Sequence, residues 1–354
     1  MMVALFAAAA LVGSYFGVSA VRLWALRRGV LDVPNWRSSH TVPTPRGGGI
    51  VFFPVVAATL ITYATLRAPE AVGDAWGFVL LGALVAVVSW LDDVRSLPPA
   101  IRFAVHITAA LGAICLFGAW SHIALPFLGV VPLGPAGWVL TLLWIVGLTN
   151  AYNFMDGIDG IAAGQGIVAG LGWAALGVLV GAPAVPALGL VLAAVCLGFL
   201  GHNRPPARIF MGDVGSAYLG FSFAVLPLMA GADDPGLPLA AALVVWPFVL
   251  DTSFTFVRRL LAGENVFAAH RSHLYQRMVA AGAGHGTVSA IYAGLALGGV
   301  LLASLWYVGS GLPKSLVAVF LPAFLVVPFW LTAHWERSAT RQQAERPLDV
   351  DRVP

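Results

Sequence analysis

Of the nineteen Lys and Arg residues in this chain, all but Arg67 and Lys314 fall in alternate connections between long apolar runs. The runs lie at about 2–21, 49–66, 76–91, 101–119, 136–150, 161–180, 185–201, 214–231, 238–257, 286–308 and 315–334. Each is close to the ~20 apolar residues that cross a bilayer as a helix. The basic residues sit in 22–48, 92–102, 202–213, 258–285 and the tail 335–354, and two runs separate each of these segments from the next. An even number of crossings returns a chain to the same face. All five segments therefore share one side, and their Lys/Arg excess places it in the cytoplasm. The predicted fold is an all-α polytopic membrane protein of about eleven transmembrane helices, with the N-terminus outside and the C-terminus cytoplasmic. Residues 1–334 form a single transmembrane domain with its site loops on the cytoplasmic face, and 335–354 is a polar tail.

Composition excludes the alternatives. Charged residues make up 10% of the chain, against roughly 25% in soluble domains. The net charge of +3 reads as a topology signal, not as an acidic partner. No basic residue precedes the first run, whereas Arg22, Arg27 and Arg28 follow it, the pattern of a retained helix and not of a cleaved signal. Cys115 and Cys196 lie in apolar runs, so neither a disulfide framework nor a cysteine metal site is expected. No basic-aromatic pattern points to nucleic acid.

The expected cytoplasmic face also carries the unusual polar residues: Asp92-Asp93 in WLDDVRSLPP, Asn150 to Asp159 in NAYNFMDGIDG, Asp213 in RPPARIFMGDVGS, and His270 to Arg277 in HRSHLYQR. Acids beside hydrocarbon are costly and are usually functional or paired. Asn150, Asn153, Asp156 and Asp159 recur every third residue, which on a helix lines one face with oxygens. An oxygen-rich, sulfur-free set suits Mg²⁺ or Mn²⁺. The competing reading is a capping turn followed by glycine-mediated helix contact at Gly160/Gly164 and Gly166/Gly170. For Asp92-Asp93 it is a loop turn salt-bridged to Arg95. In PRGGGI at 45–50, the glycine amides could contact phosphate or let two helices touch.

TPRGGG at 44–49, DDVRSLPP at 92–99, NAYNFMDGIDGIAAG at 150–164 and ARIFMGDVGSAYLG at 207–220 resemble, in family order, the polyprenyl-phosphate N-acetylhexosamine-1-phosphate transferase superfamily. The resemblance spans about 40–280. It implies a phosphotransferase that moves an N-acetylhexosamine-1-phosphate from a UDP-sugar to undecaprenyl or another polyprenyl phosphate, with release of UMP. It also implies Mg²⁺ dependence, the lipid bilayer as a partner, and an active site on the cytoplasmic side of the plasma (inner) membrane. A homodimer is compatible with it.

Residue by residue, the resemblance makes Asp213 a magnesium ligand that Asn153 completes. It places Asp92 and Asp93 near the lipid phosphate. It assigns Asp156 and Asp159 to holding nucleotide or sugar or to ordering water, and Asn150 to ordering that loop. HRSHLYQR lacks the adjacent histidines of the muramoyl-pentapeptide enzymes and is closer to a branch that starts O-antigen and other surface polysaccharides, including lipopolysaccharide. Arg208, Arg271 and Arg277 are the expected donors to diphosphate, since Arg forks bind such groups bidentately. His270 and His273 join them, and zinc binding by this histidine pair lacks a third ligand. The runner-up function is an ion-coupled transporter relaying through intramembrane acids, for which Asp251 in FVLDTSFTF is the deepest candidate.

Overall fold

The computed structural model describes residues 2–34, 42–266, 268, 270–309 and 312–344. The tail from 345 onward, with Arg37 and the rest of 35–41, lies outside the described residues.

The helices are α1 (Met2–Arg28), α2 (Phe52–Arg67, preceded by a 3₁₀ turn Gly48–Val51), α3 (Val72–Arg95), α4 (Pro99–Phe117), α5 (Ala136–Met155), α6 (Ile161–Val180), α7 (Val185–Asn203), α8 (Asp213–Gly231), α9 (Leu237–Val244), α10 (Trp246–Leu261), α11 (Leu274–Ala280), α12 (His285–Val308) and α13 (Leu312–Ala344). Two small antiparallel ribbons join them: β1 (Leu31–Asp32) with β2 (Thr44–Pro45), and β3 (His122–Leu125) with β4 (Gly129–Pro132). Among the described residues, ten helical segments are long and apolar enough to cross a membrane, or eleven if α9 and α10, which meet at an 82° bend, count as one broken span. The span count expected from the sequence is met.

The bend has a local cause. Pro247 sits in the first turn of α10. It has no N–H to give to the preceding turn, and its ring opposes continuation of α9. Gly299 of α12 packs at the break, where a Cβ would stand 2.1 Å from the Leu243 carbonyl oxygen. The Trp246 indole N–H donates to the Leu295 carbonyl at 2.9 Å.

Several helices outrun the apolar stretches read from the sequence. α1 continues to Arg28, α3 to Arg95, α5 to Met155 and α13 to Ala344. The segment from 335, read as a tail, is thus helical as far as Ala344. These extensions put polar motifs on rigid helix ends.

α8 is the most enclosed span, buried on all sides from Val214 to Leu228, as expected of a helix that is apolar all round. It packs against α3 and α5. In lipid, helix association depends on close packing more than on hydrophobic drive. At the α6–α7 crossing, Cβ atoms at Gly170 and Gly189 would each lie 2.6 Å from the other's carbonyl oxygen, so only glycine allows this approach.

Candidate active site

The ends of α3, α4, α5 and α8 and the loop before α8 converge at one end of the bundle. The opposite end carries the β3–β4 ribbon, tied to the α8–α9 connection by the Ala124 amide on the Pro235 carbonyl (2.6 Å) and by Ser121 on Asp233 (2.8 Å).

Asp93, in the last turn of α3, accepts the backbone amides of Asp213 (3.1 Å, Oδ1) and Val214 (3.0 Å, Oδ2). It therefore caps α8, whose first N–H groups have no partner within the helix and whose positive end favours a carboxylate. Asp92 accepts the Leu97 amide at 2.7 Å through Oδ1. Its Oδ2 lies 2.6 Å from Arg102 Nη1, and the same nitrogen is 3.0 Å from Asp213 Oδ2. The ion-pair partner of this motif is Arg102 on α4, not Arg95. The Arg46 guanidinium donates to the Asp93 carbonyl at 2.6 Å.

The glycines that follow Arg46 bind backbone. Gly48 and Gly49 amides donate to the Phe210 and Met211 carbonyls at 2.9 and 2.8 Å, and the Phe210 amide donates to the Pro45 carbonyl at 2.8 Å. A Cβ at Gly49 would stand 2.3 Å from Gly215 Cα. Of the two sequence readings, the structure has the close contact, with these two amides spent on the loop before α8.

Asn153, on the last turn of α5, donates to Ser216 of α8 at 3.0 Å, one turn beyond Asp213. Asn150 lies one turn earlier. Its amide donates to the Val146 carbonyl at 2.7 Å and stands 3.3 Å from His106 Nδ1 of α4. Asp156 follows the helix end. Burial, then the carboxylates of Asp213, Asp93 and Asp159, push its pKa up to about 7, since desolvation and like charge both disfavour the ionised form. Asp159 is buried and bound into the scaffold. Its Oδ2 accepts the Ala207 amide at 3.0 Å and lies 3.4 Å from His285, while its backbone carbonyl accepts Ser289 at 2.7 Å.

The last basic segment is built around Asp251, which touches His273 and the start of α11. His270 contacts Ser272 at 3.0 Å. Burial, then His273, Arg259 and Arg258, lower its pKa to about 4. The Arg258 Nη2 donates to the Ser272 carbonyl at 3.2 Å, and Arg259 Nη2 to the Asn265 carbonyl at 2.7 Å. The Nε groups of Arg258 and Arg271 are buried without a hydrogen-bond partner among the described residues, an arrangement that favours an incoming anion. Arg277 is engaged elsewhere: its fork holds Glu336 of α13 at 2.8 and 2.9 Å. The Arg208 side chain is exposed, and its backbone carbonyl accepts Arg22 at 3.2 Å.

The structure thus brings Asp92, Asp93, Asn153, Asp156 and Asp213 together with Arg102. It gathers His270, Arg271 and His273 beside Arg258 and Arg259, and it ties Asp159 and Arg277 to scaffold partners. Arg102 and Glu336 were missed because both read as ordinary charges at helix ends. Asp251 was noticed, but its depth suggested a relay. It sits within α10, with hydrogen bonds on both oxygens to the start of α11, which leaves the transporter reading without support.

A metal fits this constellation in part. Among the described residues, no three His, Cys, Asp or Glu side chains converge as a complete cage. Mg²⁺ uses only one or two carboxylates, with waters and substrate phosphates filling the rest of its shell. Asp213 and Asn153 offer that kind of partial, all-oxygen set, next to carboxylates whose mutual repulsion a cation would offset.

Residues 75–231 match the family model described as glycosyl transferase family 4. The chain is 34% identical over 278 residues to a protein of Bacillus subtilis (strain 168) named as a probable undecaprenyl-phosphate N-acetylglucosaminyl 1-phosphate transferase, covering 75% of this chain and 74% of that one. It is 33% identical over 307 residues to a decaprenyl-phosphate N-acetylglucosaminephosphotransferase of Mycobacterium tuberculosis, covering 77% and 74%. It is 33% identical over 244 residues to a phospho-N-acetylmuramoyl-pentapeptide-transferase of Picosynechococcus, covering 63% of each. With its spans, its carboxylate cluster and these likenesses, the chain belongs to glycosyl transferase family 4, among the membrane-embedded polyprenyl-phosphate hexosamine-1-phosphate transferases.

Proposed function

We propose that this protein transfers an N-acetylhexosamine-1-phosphate from a UDP-sugar to undecaprenyl or a related polyprenyl phosphate, on the cytoplasmic face of the plasma membrane. An oxygen of the lipid phosphate forms a bond to the β-phosphorus. The bond from that phosphorus to the bridging oxygen breaks, and UMP leaves with the oxygen. The observation that carries this reading is a carboxylate cluster at the same bundle end as a basic segment with unsatisfied guanidinium N–H groups. Two anions must meet here, so charge neutralisation and positioning supply most of the rate.

Asp213 and Asn153 would hold Mg²⁺, or Mn²⁺ in its place. When bound, that ion offsets charge on the phosphates. Arg102 holds Asp92 and Asp213 at fixed separation. Asp92, one of whose oxygens faces Arg102, orders the lipid phosphate, while Asp93 sets the start of α8. Arg271, Arg258 and His270 receive the diphosphate, with Arg208 at the rim. Asp156, beside Asp93 and Asp213, holds nucleotide or sugar. The prenyl chain has an apolar surface to lie on at this end: Phe256, Val257, Leu260 and Leu261 of α10 are exposed, as is Phe154 on α5, against which α10 packs. The product belongs to the first membrane step of cell-wall or surface-glycan synthesis, an O-antigen-like polysaccharide being one such product.

The direct test is UMP release by the purified protein. It should require a UDP-N-acetylhexosamine, polyprenyl phosphate and Mg²⁺ together. UMP release without the lipid would sink the reading.

A further inference from the structure

The carboxylate turn and the last basic segment are joined by a chain of contacts that starts at Asp251. This residue is 1% exposed. Its Oδ1 accepts His273 Nδ1 (3.1 Å), the Leu274 amide (2.9 Å) and Thr255 Oγ1 (3.2 Å). Its Oδ2 accepts the Tyr275 amide (3.1 Å) and the Tyr292 hydroxyl (2.6 Å). Those donors belong to α10, α11 and α12, so one carboxylate fixes three elements. α11 has only seven residues, too few to be stable alone, and its place depends on this cap.

From that fixed start, the fully buried Tyr275 reaches the site. Its hydroxyl donates to the Phe154 carbonyl at 3.1 Å, two residues before Asp156. Gly157 lies against the same hydroxyl: a Cβ there would stand 2.0 Å from Tyr275 Oη and 3.0 Å from Cζ. The first glycine of the DGIDG turn is therefore required by Tyr275.

We propose that Asp251, Tyr275 and Gly157 form an interlock that sets the basic segment holding the nucleotide-sugar diphosphate at a fixed position against the Asp156 turn. Asp251 and Tyr275 are positioning residues, and His273 is a strut of the interlock, its Nδ1–H spent on Asp251. The proposal rests on the assignment of the nucleotide sugar to this segment.

The test is a cycle of Gly157→Ala, Tyr275→Phe and the double variant, made in the full-length protein and read by UMP-release kinetics and by thermal unfolding. Tyr275→Phe removes one oxygen. It should raise KM for the UDP-sugar about fivefold and leave KM for polyprenyl phosphate unchanged, a split that a merely structural role would not produce. Gly157→Ala should lower kcat/KM at least about tenfold and lower Tm, because the added methyl meets the hydroxyl. In the double variant the nearest obstacle is gone, so both losses should shrink, with kcat/KM recovering at least about threefold over Gly157→Ala. A double variant no better than Gly157→Ala in either readout, or a Tyr275→Phe protein with wild-type KM, overturns the interlock. A wild-type protein active with no UDP-N-acetylhexosamine defeats the functional assignment and the positioning role with it. Activity in the wild type with no rescue in the double variant defeats the interlock alone.

Discussion

Arg102 Nη1 lies 3.0 Å from Asp213 Oδ2, joining the first turn of α4 to the head of α8 across 111 residues of sequence. The same nitrogen serves Asp92, so a single point of positive charge makes both contacts. Lysine can supply a point charge, though not a fork. Arg102→Lys should therefore keep most of its activity, whereas Arg102→Ala leaves Asp92 and Asp213 facing each other and should lose about two orders of magnitude in kcat, ~2.7 kcal/mol. Equal losses in the two variants would show that the fork itself matters.

Asp213 is the proposed metal ligand. EDTA should abolish activity, and Mg²⁺ or Mn²⁺ should restore it. Asp213→Asn should lose at least about a hundredfold in kcat. Near-normal turnover in that variant would remove Asp213 from the metal site.

The two arginines of the last segment should behave differently. Arg271 has a buried, unpaired Nε, and Arg271→Lys should raise KM for the UDP-sugar about tenfold. Arg277 is paired with Glu336, and both side chains are substantially exposed. Such pairs contribute about 0–1 kcal/mol. Arg277→Lys and Glu336→Gln should thus change KM less than about threefold. A large KM effect at Arg277 would mean that it leaves Glu336 to grip substrate.

The Asp156 carboxyl gives stability a pH dependence. Raised to about 7, it holds a proton in the folded chain that an unfolded aspartic acid has lost above about 4. Unfolding then releases a proton, so stability falls as pH rises between those values and levels off above the folded pKa. With divalent cations chelated, Tm should fall from pH 5 to pH 8. Asp156→Asn should flatten that slope and melt higher at pH 8. A wild-type Tm that rises over this range would contradict the assignment.

Topology can be read by labelling. In a background lacking Cys115, which is exposed, cysteine at Val94 beside the cluster should react only with a membrane-permeant reagent in intact cells. Cysteine at Phe127, 88% exposed at the opposite end, should react with an impermeant one. The reverse pattern would invert the assigned orientation.

The spans were legible because each run is apolar over its own length, whereas the ninth run reads as one continuous span and its break at Pro247 shows only in the structure. The polar motifs were legible as a set sharing one face. Their partners were not. Asp93 on the Asp213 amide, Arg102 on Asp213 and Arg277 on Glu336 join helix ends that are distant in sequence, and side-chain periodicity within a helix carries no information about which ends meet. Gly157 illustrates the same limit: the sequence shows a glycine in a turn, but not the tyrosine that forbids anything larger.

The capping of α8 by Asp93 also bears on how the protein is made. α3 leaves the ribosome some 120 residues before its partner amides exist. During synthesis its paired carboxylates wait at the membrane surface without the helix they are shaped for. The basic counterpart in α10 and α11 arrives later still, and Glu336 near the end of α13 comes last. A nascent chain therefore has no working centre until nearly all of its spans are inserted. A chain cut short after α8 would carry the carboxylates with Arg102 but none of the later basic segment, unable to act on sugar nucleotide at the translocon.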